Sequence, residues 1–333
     1  MQATPERVQL NPKHFRPNTH AFPKEVNFFF DDGGLGDYIC WTAAILYVAT
    51  ECPHVHGHLY VPPHFFSLAV HFMKPHSHWT VGQPGEMFDA SLPDRRPVRQ
   101  PINATGANLL DLGFIYFAEA HQAPKEHRLY PKVRMEEIPK SDLAPSGPYV
   151  VLTAGASFEN RQMTAEAFNG IKAHIIKRGF TPVIVGRSVM GKNDERKIMI
   201  HSGYDFSGTI NLIDQTPDML EVARIIDGAE MVVGLDNGLL HLAACTDTPI
   251  IFGYTIASPD HREPKPRGNQ WIINVHPDLE KLSCTFCQSN MRHLYGHSFA
   301  TCIYKDNACT KILTSNIWVG AMDKMLELIR MTT

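Results

Sequence analysis

The 333-residue chain has no long apolar run. Its longest, Ile39 to Ala49, falls short of the roughly 20 residues that a helix needs to cross a bilayer. The opening residues, Met1-Gln-Ala-Thr-Pro-Glu-Arg7, lack the apolar core of a secretory signal, so a soluble, cytoplasmic protein is expected. An excess of one charge is missing as well. The formal net charge of -3 sets up no global basic field to recruit nucleic acid or an anionic membrane. No internal repeat or low-complexity tract is present, which sets aside solenoids and compositionally biased chains.

What is there describes an ordinary globular chain, 44% hydrophobic and 20% charged. At roughly 100–200 residues per domain, its length suggests two. Residues 1–25 read as an irregular arm. Val26 to Phe30 reads as a strand, Asp31-Asp-Gly-Gly-Leu-Gly-Asp37 as a glycine loop, and Tyr38 to Thr50 as a buried helix. His58 to Val61 is a second strand, residues 75–105 a proline-rich loop, and Asn108 to Ala120 a helix. Lys140 to Pro148 has linker composition and sets a boundary near 145. Beyond it come strands at Tyr149 to Thr153, Thr181 to Val185, Met231 to Gly234 and Pro249 to Phe252. Helices are expected at Thr164 to Arg178, Pro217 to Gly228 and Ile317 to Arg330, and mostly loop over 255–310. Strand–helix alternation in both halves predicts an α/β fold with two Rossmann-like domains facing across a cleft.

Three turns stand where ligands sit in such sheets, beyond the carboxyl ends of strands. The first holds Gly34, Gly36 and Asp37. Glycines admit a ligand to the backbone, though the loop is not a complete G-x-G-x-x-G pattern. Asp37 reads either as a helix N-cap or as a carboxylate that takes a proton from an acceptor hydroxyl, with Asp31 and Asp32 competing for that role. The second turn, Thr153 to Thr164, holds Ser157 and Arg161, a hydroxyl and a planar cation suited to phosphate oxygens. Its bland reading is a surface arginine before a helix. The third, Asp236-Asn237-Gly238 with His241, turns from strand to helix and offers backbone N–H groups to an anion. Without further clues, His241 reads as a packed core histidine.

Seven cysteines are present, four of them clustered: Cys284, Cys287, Cys302 and Cys309. A Cys-x-x-Cys pair followed by two more thiols is the makings of a tetrathiolate metal site, zinc by default. The alternating His54, His56 and His58 would share one face of a strand, more simply read as a solvated face. Arg95, Arg96, Arg99, Lys125, Arg128, Lys132 and Arg134 form a loose basic candidate for a nucleic-acid acceptor. No clearly basic amphipathic face marks a membrane-bound helix, so membrane contact is peripheral at most.

Taken together, Gly-Leu-Gly-Asp37, Thr-Ala-Gly-Ala-Ser157 with a cation four residues on, and Asp236-Asn-Gly-Leu-Leu-His241-Leu-Ala followed by Pro249-Ile-Ile-Phe-Gly253-Tyr-Thr resemble glycosyltransferase family 9, the ADP-heptose heptosyltransferases. The resemblance implies a GT-B fold. Residues 1–145 would be the acceptor domain and 146–315 the nucleotide-sugar domain with the cysteine region, and a helix at 316–333 would pack back toward the N-terminal domain. It also implies an inverting transferase with Asp37 as base. Gly34, Gly36, Ser157, Arg161, Asp236, Asn237, Gly238 and His241 would lie around a nucleotide-diphospho-sugar, ADP-heptose being the first candidate, with no catalytic metal. The acceptor would be a glycan, a protein or a modified nucleic-acid base, and a homo-oligomer is possible. The family's autotransporter heptosyltransferases carry an iron-binding cysteine finger, which makes iron the alternative to zinc. Two departures stand out: Arg161 replaces the usual lysine, and Asn237 the usual threonine. The rival class is a non-catalytic nucleotide-sugar-binding or assembly protein on the same scaffold, for which the retained Asp37 is the discriminator. A hydrolase or epimerase of the same shape is a third.

Overall fold

The computed structural model describes residues 25–30, 34–82, 95–97, 108, 110–111, 114, 123–153, 155–156, 158–190, 197–198, 200–289, 302 and 304–332. The first part runs β1 (Glu25–Phe29), α1 (Leu35–Glu51), β2 (His56–Tyr60), α2 (Phe66–Met73), β3 (Trp79–Gly82) and β4 (Arg95–Pro97). The second runs β5 (Tyr149–Thr153), α3 (Ala165–Lys177), β6 (Thr181–Val185), β7 (Val189–Met190), β8 (Lys197–Ile198), β9 (Ile210–Asn211), α4 (Met219–Asp227), β10 (Met231–Leu235), α5 (Gly238–Ala243), β11 (Ile250–Gly253), α6 (Pro259–Arg262), β12 (Ile272–Val275), α7 (Ala308–Lys311) and α8 (Ser315–Thr332). Among the described residues no helix is long and apolar enough to cross a membrane.

Two all-parallel sheets result, ordered β3-β2-β1-β4 and β12-β11-β10-β5-β6-β9. In the second sheet the central strands β5, β10 and β11 are near-continuous apolar runs, as expected of strands buried on both faces. In β10, Met231 and Val233 enter one hydrophobic cluster and Val232 the other, following strand alternation. Each sheet reverses its direction of growth once. In the first the reversal lies between β1 and β4, in the second between β5 and β10. Such switch points leave a crevice at the strands' carboxyl ends, which is where the three turns stand.

Three strands lie in stretches that read as loop from the sequence. β3 and β4 fall within 75–105 and β12 within 255–310. All three close sheet edges, where strands are short and proline is tolerated, so they carry no long apolar run. Of the helix expected at Asn108 to Ala120, Leu110, Asp111 and Phe114 are helical and most of the rest lies outside the described residues.

The last helix also differs from expectation. Trp318, Met322, Met325 and Leu326 recur on one face of α8 at helical spacing. They pack against α3 and against β11 and β12 of the second sheet, rather than mainly on the first. Gly253 makes this possible, since a Cβ there would lie 2.2 Å from Trp318 Cη2. Trp318 is fully buried. Trp318→Ala is therefore expected to cost about 3–5 kcal/mol of stability, read as a lowered midpoint of chemical denaturation.

Candidate functional site

The first turns of α1 and α5 meet. A Cβ on Gly36 would lie 2.6 Å from the His241 ring, and one on Gly238 would lie 2.6 Å from Leu35 Cβ. Only glycine at both positions lets the helix starts approach this closely. Gly34 has another use: its N–H donates to Asp37 Oδ2 at 2.9 Å. Asp37 is thus the third residue of the helix reaching back to its cap, rather than the cap itself.

Four ionisable residues are buried at this junction: Asp37, Asp236, His241 and Arg262 are 6, 3, 1 and 8% exposed. At such burial each charge needs a partner. Asp37 Oδ1 stands 3.6 Å from Arg262 Nη1. Asp236 is held by Arg161, whose Nη2 lies 3.0 Å from Oδ2 while Nε and Nη2 donate to the Asp236 carbonyl at 2.9 and 2.5 Å. His241 Nε2 approaches Asp236 Oδ1 at 3.4 Å. Burial opposes ionisation of Asp236, but Arg161, His241 and Arg262 together hold its carboxyl well below the usual carboxylate range. Burial likewise disfavours the Arg262 charge, yet Asp236 and Asp37 outweigh it and raise its pKa.

Asn237 caps α5. Its Oδ1 accepts from Leu239 N (2.9 Å) and Leu240 N (3.3 Å), and its Nδ2 donates to Thr153 Oγ1 (2.9 Å) and Gly155 O (3.4 Å). A threonine hydroxyl could not tie the end of β5 to the helix start in this way, which accounts for asparagine at this position. The cap also bears on the expected anion-binding turn. The N–H groups of Leu239 and Leu240 are taken by Asn237, and the nearby full positive charges are those of Arg161 and Arg262.

The structure thus brings Gly34, Gly36, Asp37, Arg161, Asp236, Asn237, Gly238 and His241 together. Ser157 and the competing Asp31 and Asp32 lie outside the described residues. Arg161 is no surface arginine: its side chain is 14% exposed and engaged on Asp236. Sequence reasoning missed Arg262, which follows the expected strand at Pro249 to Phe252 within a stretch read as loop. It also missed Tyr130, whose hydroxyl is 2.7 Å from His241 Nδ1. That residue stands in a polar, proline-rich segment with no motif to mark it.

Of the described cations in the basic candidate, Arg128, Lys132 and Arg134 face Asp111, Asp247 and Glu137. They serve internal ion pairs more than a free stripe. Arg99 lies outside the described residues, as do the side chains of Arg95 and Arg96. His58 pairs with Thr80 Oγ1, and His56 is exposed.

Cys284, Cys287, Cys302 and Cys309 line one small pocket with Asn160 and Ile256, and none is in a disulfide. Burial, then the neighbouring thiols, push Cys309 up to about 12. Among the described residues no group of three or more His, Cys, Asp or Glu is disposed to hold a metal ion as it stands. The thiols converge without forming a finished site.

A family model described as glycosyltransferase family 9 (heptosyltransferase) matches residues 74–294. No curated protein matches the chain. Among solved structures it is similar to the iron-containing dodecameric glycosyltransferase TibC from enterotoxigenic E. coli H10407, with a TM-score of 0.68 and 14% identity over 91% of this chain and 76% of that one. TibC in complex with ADP-D-beta-D-heptose gives a TM-score of 0.66 at 14% identity over the same shares. E. coli ADP-heptose LPS heptosyltransferase II gives 0.60 at 12% identity, over 92% of this chain and 99% of that one. These likenesses show a GT-B fold.

The depressed Asp236 carboxyl makes a prediction about acid stability. A carboxyl lowered in the folded state contributes stability above its unfolded pKa, about 3.9, and loses it as pH falls toward the folded value. Asp236→Asn should be less stable than wild type at neutral pH, and the gap should narrow below about pH 4. Denaturation midpoints across pH 2–7 measure it; a gap independent of pH contradicts the assignment.

Proposed function

The chain belongs to glycosyltransferase family 9, and from that membership we propose that it moves a sugar from a nucleoside-diphosphate donor to an acceptor hydroxyl with inversion at the anomeric carbon. The observation that carries this reading is the meeting of Asp37, from the first switch point, with Arg161, Asp236 and His241 from the second. Acid–base and anion-binding groups from two sheets share one buried junction.

Breaking the bond from sugar to diphosphate leaves negative charge on phosphate oxygen and positive character at the anomeric carbon. Arg161, with its guanidinium fork in reach of the turn, stabilises the departing diphosphate, and Ser157 adds a hydroxyl from the same loop. Asp37 takes the proton of the acceptor hydroxyl as that oxygen attacks from the opposite face. Its hydrogen bond from Gly34 and its contact with Arg262 hold it in place for that transfer. Heptose is the first candidate sugar and ADP the first nucleotide, because heptosyltransferase II and TibC are named for that donor or bind it. The acceptor is a hydroxyl on a glycan, a protein or a modified nucleic-acid base; the pairing of Arg128, Lys132 and Arg134 favours the first two. By analogy with dodecameric TibC, we extend homo-oligomerisation to this chain. A purely binding role is disfavoured by the retention and burial of Asp37.

The four cysteines are proposed to hold a structural zinc, or iron, the metal that TibC contains. Soft thiols around one pocket suit either ion, which would replace thiol protons and pin the 255–310 segment. The ion is assigned no step in transfer.

Asp37→Asn should abolish turnover while leaving nucleotide-sugar binding within a few-fold, measured by product formation alongside thermal shift. Retained turnover removes Asp37 from the mechanism. Wild type with ADP-heptose at 100 times its Kd should gain about 2.7 kcal/mol of stability. No shift with any nucleotide sugar contradicts the donor assignment. Elemental analysis of purified protein should return about one zinc or iron per chain, lost in Cys284→Ser/Cys287→Ser; a metal-free wild-type protein overturns the cysteine assignment.

A further inference from the structure

Tyr130 has no place in the transfer chemistry, yet it is built into the site. Its ring is buried and lies alongside His241, with ring centres 5.9 Å apart. Its backbone is clamped from the second half of the chain at both polar atoms: its N–H donates to Lys265 O (2.8 Å), and its carbonyl accepts from Arg267 Nε (3.1 Å). Its hydroxyl lies 2.7 Å from His241 Nδ1 and 3.1 Å from Cys40 Sγ on α1.

With a single proton on the His241 ring, one arrangement of the protons in this row is favoured. Asp236 is an ionised carboxylate, so it accepts. His241 Nε2 lies 3.4 Å from Asp236 Oδ1 with no hydrogen bond formed between them, and the nearby carboxylate favours a hydrogen on that nitrogen over a bare lone pair. Nδ1 is then an acceptor and needs a donor. Tyr130 supplies it, being kept protonated by burial and by the neighbouring Cys40. The Tyr130 oxygen in turn accepts from the Cys40 thiol, which burial holds protonated, its pKa pushed up to about 12. Hydrogen bonds thus run from Cys40 through Tyr130 to His241, whose Nε2 stands at ion-pair distance from Asp236 without a hydrogen bond formed. In the opposite tautomer, Tyr130 would have to donate to the cysteine sulfur, a weak acceptor, and the Asp236 carboxylate would face a bare ring nitrogen.

We propose that Tyr130 is a positioning residue whose hydroxyl, seated by Cys40, locks His241 as the Nε2–H tautomer, with that N–H on the Asp236 side of the ring. Resting on the transferase reading above, the same N–H is the one that turns to the departing diphosphate when a donor is bound. Orienting partners of a functional histidine fix its tautomer in just this way, and losing one in metal sites costs about 10- to 100-fold.

Nitrogen-15 histidine spectra of the intact protein test this without any substrate, with His241→Gln used only to assign the signals. Wild type should show the Nε2–H form; a predominant Nδ1–H form overturns the proposal. Tyr130→Phe, which keeps the ring, should give a mixture of tautomers, whereas Cys40→Ser, which keeps a donor to the Tyr130 oxygen, should leave the spectrum as in wild type. A Tyr130→Phe spectrum identical to wild type also overturns it. If Tyr130→Phe does not fold, the wild-type tautomer alone decides. In turnover assays Tyr130→Phe should lower kcat about 10- to 100-fold with a smaller change in donor KM. Loss of the tautomer preference together with inert wild-type protein would uphold Tyr130 and sink the transferase reading, so the two fail separately.

Discussion

The structure depends on two helix starts being pressed together. Gly36 on α1 lies against His241, and Gly238 on α5 against Leu35. Helix N-termini carry partial positive charge, so opposing two of them is unfavourable unless anions sit between. Asp37 and Asp236 are those anions. Once buried they need cations of their own, and Arg262 and Arg161 follow. Steric need for glycine, electrostatic need for carboxylate and desolvation need for arginine thus form one causal chain. The proposed chemistry uses its links: a carboxylate with a restrained orientation on one side, a guanidinium at the turn on the other.

The same junction explains the departures from the familial pattern. Arginine at 161 does more than carry charge, because its fork spans the Asp236 carbonyl and carboxylate together, which a lysine point charge does not. Asparagine at 237 both donates and accepts, closing α5 while holding the end of β5. Each substitution strengthens the tie between β5 and β10, the strands flanking the second switch point.

Much of the architecture was legible from the chain. The buried strands β1, β5, β6, β10 and β11 are apolar enough to announce themselves, and glycine or aspartate punctuates each turn. The edge strands β3, β4 and β12 were not, because a short strand paired on one side needs no apolar run. The packing of α8 was not either. Its Trp318–Met322–Met325–Leu326 face says that one side is buried but not against what. The space left by Gly253 beneath Trp318 decides that. The cysteines show the same limit: their spacing predicts convergence, and only the fold shows them around a common pocket.

By itself the sequence determined which groups stand at strand ends: Asp37, Arg161, Asp236, Asn237 and His241 are placed by local turn chemistry, which depends on neighbours a few residues away. The partners were decided by tertiary structure. Cys40 and Tyr130 are 90 residues apart and Tyr130 and His241 are 111 apart, while Arg262 reaches Asp37 from the end of α6. No local pattern encodes such pairs, because a buried hydrogen bond or ion pair is set by how α1 docks on α5 and by the polar groups that this docking strips of water.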